Sequence, residues 1–404
     1  MSPSLGRAGA VVTVAAIICG NAAPPMIYDA LAPVLPAIAR HFGGGTAGEA
    51  IAQAAIAVAT LGMGLAGLFT AALASRFGFR RAMAGGWILF GIFGTVGVVS
   101  LPAPLLLASR FLLGLSGGLL MAIAGIAVAA RYSGDEAARA RMMGINLAVG
   151  PFSAIAFLIA AAALADISWR APFLLHAGLA VAGLMLVCAA RLPSAPHPDQ
   201  RAKRPGLNGL RPAVPAYLAI FAGLVVSNLF NVQIAFLLAS RGAGEPATVA
   251  SVMSAMLLAL ATTYTVFGPV YRRLGTMGTI LLGMIFFIAA SLLCASFESL
   301  SVTAAGMACA GVAMGLTVAA AMNLIMDRCS AEVTPAALGA ATTLIYASGA
   351  VAPAIFVPLR SITGYEGLYY LCALAMGLSV SALILVRARR GRRSLGLTGT
   401  ADEG

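Results

Sequence analysis

Twelve stretches of this chain are apolar for long enough to cross a lipid bilayer, and this limits the fold more than any motif. They lie near 9–39, 47–74, 81–101, 104–131, 137–165, 170–191, 212–240, 247–271, 277–297, 300–326, 335–360 and 366–387. A spanning helix needs about 20 apolar residues, because the hydrocarbon offers its backbone groups no water to bond. The breaks carry turn chemistry or charge: Gly43-Gly44-Gly45, Arg76 to Arg81, Pro102 to Pro104, Asp135-Glu136 and Gly242 to Pro246. The first stretch continues past Pro24-Pro25 to Ala39, so it reads as a span and not as a cleavable leader. The expected fold class is an all-α polytopic membrane protein with twelve transmembrane helices.

Composition agrees. The 404 residues are 61% hydrophobic and 9% charged, too few charges to clothe a water-soluble enzyme. The net charge of +12 would otherwise suggest nucleic acid as a partner. The basic residues follow topology instead. With a cytoplasmic N-terminus, twenty of them fall inside: Arg7, Arg76, Arg80, Arg81, Arg131, Arg139, Arg141, Arg191, Arg201, Lys203, Arg204, Arg211, Arg272, Arg273, Arg328, Arg387, Arg389, Arg390, Arg392 and Arg393. Only Arg40, Arg170, Arg241 and Arg360 fall outside, and Arg110 lies within a span. This bias predicts a multi-pass protein of the cytoplasmic (inner) membrane with both termini cytoplasmic. Its partners are expected to be the lipid bilayer, a small-molecule substrate and protons, with no nucleic acid; a monomer is expected.

The segment Pro193 to Pro205, PSAPHPDQRAKRP, is rich in Pro and charge and reads as a solvated linker. It divides the chain into a six-helix bundle over 1–192, a linker over 193–211, a second bundle over 212–390 and a cytoplasmic tail over 391–404. The halves echo one another: Ser75-Arg76-Phe77-Gly78 resembles Arg272-Arg273-Leu274-Gly275, and Gly150-Pro151 resembles Ala352-Pro353. Two parallel bundles around a central cavity form a transporter architecture. Cys19, Cys188, Cys294, Cys309, Cys329 and Cys372 show no CxxC spacing and read as small apolar residues, so no metal site is expected.

After the second stretch the chain reads Ala71-Ala72-Leu73-Ala74-Ser75-Arg76-Phe77-Gly78-Phe79-Arg80-Arg81. This resembles the Gly-x-Leu-Ala-Asp-Arg-x-Gly-Arg-Arg loop signature of the major facilitator superfamily. Arg110-Phe111-Leu112-Leu113-Gly114-Leu115-Ser116-Gly117-Gly118 looks like that family's Arg-x-x-x-Gly-x-x-Gly motif. Asp29 with Pro33, and Trp169-Arg170-Ala171-Pro172-Phe173, resemble the 12-span drug/proton antiporter branch. The chain departs from the pattern twice. Ser75 replaces an acid that in the family pairs with nearby arginines to favour one conformational state. Ser153-Ala154 replaces the Gly-Gly that follows Gly150-Pro151 in the antiporter motif. The resemblance assigns Ser75, Arg76, Gly78, Arg80, Arg81, Gly150 and Pro151 to conformational change.

Asp29 stands out as the carboxylate deep in a span, roughly 15 Å below the outer end of the first stretch at 1.5 Å per residue. Arg110 lies at comparable depth, roughly 9 Å by the same rise. A charge in hydrocarbon needs a partner or a wet cavity, so the two are expected side by side, Asp29 titrating a proton and Arg110 tuning it. A static ion pair is the plainer alternative. Asn21 and Tyr28 flank Asp29, and Pro24 and Pro25 predict a kink there. Asn228, Asn231 and Gln233 in the seventh stretch offer amides to a polar substrate or to neighbouring helices, and Asn228 and Asn231 share a face. Tyr264, Asn323 and Tyr346 are further cavity candidates, whereas His176 is expected to pack or hydrogen-bond. Asp327 and Arg328 read as topology anchors and contacts of the inner gate.

No GxxxxGK phosphate loop occurs, so no cofactor is expected and the proton gradient is the expected driving force. The sequence thus predicts a proton-coupled secondary transporter working by alternating access and exporting amphipathic, drug-like molecules. Import or facilitated passage of a small metabolite or organic anion, contacted by Arg110, is the alternative. A polytopic membrane enzyme is remote, because no HExxH or paired intramembrane acids occur.

Overall fold

The computed structural model describes residues 7–67, 69–99, 102–193, 207–330 and 333–396. Every regular element among them is a helix. Among the described residues, ten helices are long and apolar enough to cross a membrane. Two are too long for one crossing: Pro246–Ser296 has 51 residues and Thr334–Gly396 has 63. Each breaks at a glycine of positive φ, Gly275 (φ 65°) and Gly364 (φ 73°), where L side chains are strained. The first of these folds back on itself. A Cβ on Gly306 would lie 3.2 Å from the Ala290 oxygen, and one on Gly311 would lie 2.1 Å from the Met256 oxygen. In a straight helix residues 256 and 290 would be about 50 Å apart, yet both pack on five residues of one neighbour. Gly364 carries the same backbone break as Gly275, and ten helices with two of them so interrupted match the twelve crossings expected.

These crossings are span 1 (Ala8–His41), 2 (Gly45–Ala66), 3 (Ala72–Val98), 4 (Ala103–Arg131), 5 (Glu136–Ala165), 6 (Ala171–Ala189), 7 (Gly209–Ser240), 8 and 9 on either side of Gly275, 10 (Leu300–Arg328), and 11 and 12 on either side of Gly364. Span 2 ends earlier than the apolar stretch did. Its helix stops at Ala66, and a further helix begins at Thr70 and turns at Gly78 (φ 77°). The linker's basic residues Arg201, Lys203 and Arg204 lie outside the described residues, as do residues 397–404 of the expected tail. Residues 207–213 are already helical, and helix continues to Gly396. "Linker side" below means the side on which spans 6 and 7 are joined; the other is the far side.

The internal echo is structural. Gly78 and Gly275 adopt the same left-handed turn, with ψ of 159° and −178°. They stand 197 residues apart. Gly114 and Gly311 stand at the same offset, and both let two helices meet at the backbone. A Cβ on Gly114 would be 1.9 Å from the Ala59 oxygen, as one on Gly311 would be 2.1 Å from the Met256 oxygen. Between apolar helices in lipid, such small-residue contacts are a main source of association. Gly114→Val is therefore expected to force spans 2 and 4 apart and lower the thermal midpoint of the purified protein, since overpacking costs about 1–3 kcal/mol. Gly125→Val, at a site where a Cβ meets nothing within 4 Å, serves as the control.

Candidate substrate cavity and coupling site

Span 1 is not one helix. Helix Arg7–Ile18 gives way to a 3-10 turn over Cys19–Ala22, then to helix Ala23–Asp29, a second 3-10 turn over Ala32–Val34 and helix Leu35–His41. Proline sits in the first turn of each piece after Ala22, where its missing N–H does no harm, and so sets where each piece begins. Asp29 closes the middle piece, so its carboxylate lies at the negative end of a short helix, inside the break. Span 7, the repeat partner, is irregular at a matching place. A π-helical turn over Leu229–Gln233 separates Val214–Asn228 from Ile234–Ser240.

The two irregular segments face a cavity of about 330 Å³ between the halves. Its wall takes residues from spans 1, 2, 4, 5, 7, 8, 10 and 11. Asn21, Tyr28, Asp29, Asn228, Asn231 and Tyr346 all line it, and so do Gly150 and Pro151. Among the described residues, Asp29 is the one charged group on the wall. Asp29 is 7% exposed, with no hydrogen bond or ion pair to its carboxylate among the described residues. A buried carboxylate left without a protein partner is suited to a proton or a ligand cation.

The other polar groups are held so that ligand-binding capacity remains. Asn228 donates to the Leu224 oxygen at 2.8 Å, and Asn231 to the Ser227 oxygen at 3.1 Å. Both amide oxygens are thus left to accept. Asn21 donates to the backbone oxygen of Asn146. Tyr28, Tyr346 and Ser227 each point a hydroxyl at a methionine sulfur: Met63 at 3.2 Å, Met121 at 2.9 Å and Met314 at 3.2 Å. A thioether is a weak acceptor, so a ligand oxygen can displace it. Met121, Met253, Met256 and Met314 supply much of the apolar wall, flexible side chains that adapt to varied shapes. Thr60, Ser227, Ser348 and these methionines are absent from the sequence reading, since small hydroxyls and apolar residues look alike on every face of a spanning helix.

Four expectations need correcting. Arg110 does not meet Asp29 and does not line the cavity. It is 0% exposed, donates to the Phe93 and Gly94 oxygens at 2.7 and 2.9 Å, and sits 4.9 Å from the centre of the Phe173 ring. It ties span 4 to spans 3 and 6. Gln233 turns away from the cavity into a reciprocal amide pair with Gln53, at 2.9 and 3.3 Å, that joins spans 7 and 2. Tyr264 is 42% exposed and is not on the cavity wall. Asn323 likewise bonds within its own helix, to the Ala319 oxygen at 2.9 Å. His176 packs as expected, buried against Phe90 and bonded through Nδ1 to the Phe173 oxygen at 3.1 Å. Of the loop residues, Ser75 folds its hydroxyl onto the Ala72 oxygen at 3.0 Å, Arg76 lies against Phe77, and Arg80 donates to the Cys188 oxygen at 2.6 Å.

Glu49 was not among the expected site residues. It pairs with Arg360 across the two halves and accepts a hydrogen bond at 2.7 Å from Tyr365, whose hydroxyl also receives Arg360 at 3.2 Å. The described polar contacts between the halves are this cluster, the Gln53–Gln233 pair and Tyr346–Met121. The first two lie on the far side. So does an apolar cluster that joins Leu31, Val34, Ile38 and Ile56 to Val232 and Phe236. The far side is thereby closed.

A family model described as the Major Facilitator Superfamily matches residues 17–353. The chain belongs to the major facilitator superfamily. It is a multi-pass membrane transporter and not an enzyme. Solved structures with the same fold include the nucleoside transporter NupG, with a TM-score of 0.74, 12% identity, and coverage of 93% of this chain and 99% of that one. A POT family transporter in complex with a thioalcohol-conjugated peptide gives 0.73 and 14%, covering 95% and 96%. The inward-open xylose transporter XylE from E. coli gives 0.68 and 13%, covering 91% and 94%. At these identities the likeness is one of fold. No curated protein matches the sequence.

Proposed function

We propose that this transporter is a proton-coupled exporter of amphipathic, drug-like molecules, working by alternating access with Asp29 as the coupling acid. The observation that carries the reading is the unpartnered Asp29 carboxylate on an otherwise uncharged, methionine-rich cavity wall. Such a wall suits an apolar body bearing one positive charge, and a proton competes with that charge for one carboxylate. Competition at a single acid gives exchange when the empty, ionised cavity does not reorient. An unpaired carboxylate is costly to carry through the membrane, so only the proton-loaded or cation-loaded cavity crosses. The basic residues, clustered on the linker side, support placing that side in the cytoplasm, with the protein in the cytoplasmic membrane. On that placement the closed far side faces outward and the cavity loads from the cytoplasm.

The three cavity amides favour one second reading, proton-linked uptake of a small neutral polar solute, as the names of several structural neighbours suggest for those proteins. Organic anions lose their support, since Arg110 is not on the wall.

The test is transport in proteoliposomes with an imposed pH gradient. A lipophilic monocation is expected to move against the proton flux, and a matched anion is not. Movement indifferent to the gradient, or uptake of nucleosides or pentoses alone, would remove the export reading.

A further inference from the structure

A second groove, of about 340 Å³, lies apart from the central cavity and shares no residue with it. Ala10, Val11, Val14, Ala15 and Ile18 line it from span 1, with Arg131 and Tyr132 from the end of span 4. The five span 1 residues recur at three- and four-residue intervals (10, 14, 18 and 11, 15, 18) and so form one stripe, about 12 Å long. The opposite face of the same helix carries the buried Thr13, Ala16 and Ile17. Val11 is 67% exposed, so the stripe faces the outside of the bundle, where lipid lies.

Arg131 gives this groove its chemistry. It is the last residue of a 29-residue span, which puts it at headgroup depth. It has no ion-pair partner among the described residues, its Nε is buried without a hydrogen bond, and its guanidinium is 5.9 Å from the centre of the Tyr132 ring. The nearby Asp135 is engaged as a helix cap, accepting from the Ala138 N–H at 2.9 Å. An apolar slot ending in an unpaired, aromatic-braced cation at the membrane boundary complements one kind of molecule. We infer that this groove binds an anionic phospholipid, its acyl chain along the span 1 stripe and its phosphate on Arg131. A free phosphate would use the cation and leave the slot unfilled.

The experiment uses the full-length protein in zwitterionic nanodiscs or detergent. Phosphatidylglycerol and phosphatidylcholine of identical chains are titrated, and retention is read by native mass spectrometry and by the thermal midpoint. Wild type is expected to retain phosphatidylglycerol about five-fold more tightly, as one interfacial arginine predicts. Arg131→Gln should erase that preference, and Val14→Trp, which fills the slot and keeps the cation, should lower retention of the lipid. Glycerol phosphate should not stabilise. Equal retention of the two lipids by wild type, a preference that survives Arg131→Gln, unchanged retention in Val14→Trp, or stabilisation by glycerol phosphate overturns the inference. If Arg131→Gln does not fold, Val14→Trp decides.

Discussion

Replacing Asp29 with asparagine is expected to reduce proton-driven transport to the level of protein-free vesicles. The substitution keeps the size of the side chain and removes its charge. Asn21, Asn228 and Asn231 still line the cavity, so a neutral ligand should bind within about ten-fold of wild type, a difference of about 1.4 kcal/mol. A monocation should bind about 10- to 100-fold more weakly, because a charge-assisted bond is worth about 1.5–3 kcal/mol. The pH dependence distinguishes the carboxylate from a bystander. A proton and a cation compete for Asp29, so wild-type affinity for the monocation should rise with pH as the carboxyl ionises, and then level off. The variant should give a flat profile. Binding measured by fluorescence anisotropy across pH, beside the transport assay, supplies both readouts. Full coupled transport by Asp29→Asn would eliminate this acid from the mechanism.

Much of this site was legible because its features are local in sequence. Gly78 and Gly275 each follow basic residues at the end of an apolar run, and the turns fall there. Pro24, Pro25, Pro33 and Pro36 mark the places where span 1 restarts, and Asp29 falls between two of them. Asn228 and Asn231, three residues apart, do share the face that lines the cavity. Lateral relations were not legible. The rise along a helix gave Arg110 a depth close to that of Asp29, but depth does not fix which helices a side chain meets. Arg110 meets the carbonyls of span 3 and the Phe173 ring, and the expected pair never forms. Gln233 sits two residues from Asn231 and hence points roughly 200° away from it, toward Gln53, in the other half of the chain. The larger omission follows from the same limit. The sequence places Arg360 only as a charge outside the membrane and does not single out Glu49, and nothing local announces a partner 311 residues distant.

That Glu49–Arg360 pair carries the other large expected effect, on the balance between conformations. In the far-side-closed state the side chains of Glu49 and Arg360 are 16% and 4% exposed. In a state open on that side both would meet water, so removing one partner penalises only the closed state. Orphaning a buried charge costs about 3–5 kcal/mol, and the partial exposure of Glu49 places the effect near about 3. The equilibrium should then shift roughly a hundred-fold toward the far-side-open state in Glu49→Gln, and likewise in Arg360→Met. The double variant should recover much of the shift, because neither charge is left unpaired and the Gln53–Gln233 pair remains. In a background without the native cysteines, Ser348→Cys places a thiol on the cavity wall. An impermeant maleimide added from the far side should label it slowly in the parent and far faster in either single variant, with an intermediate rate in the double. Equal labelling in all four proteins would mean that the apolar contact of Leu31, Val34 and Ile56 with Val232 and Phe236 alone holds the far side shut.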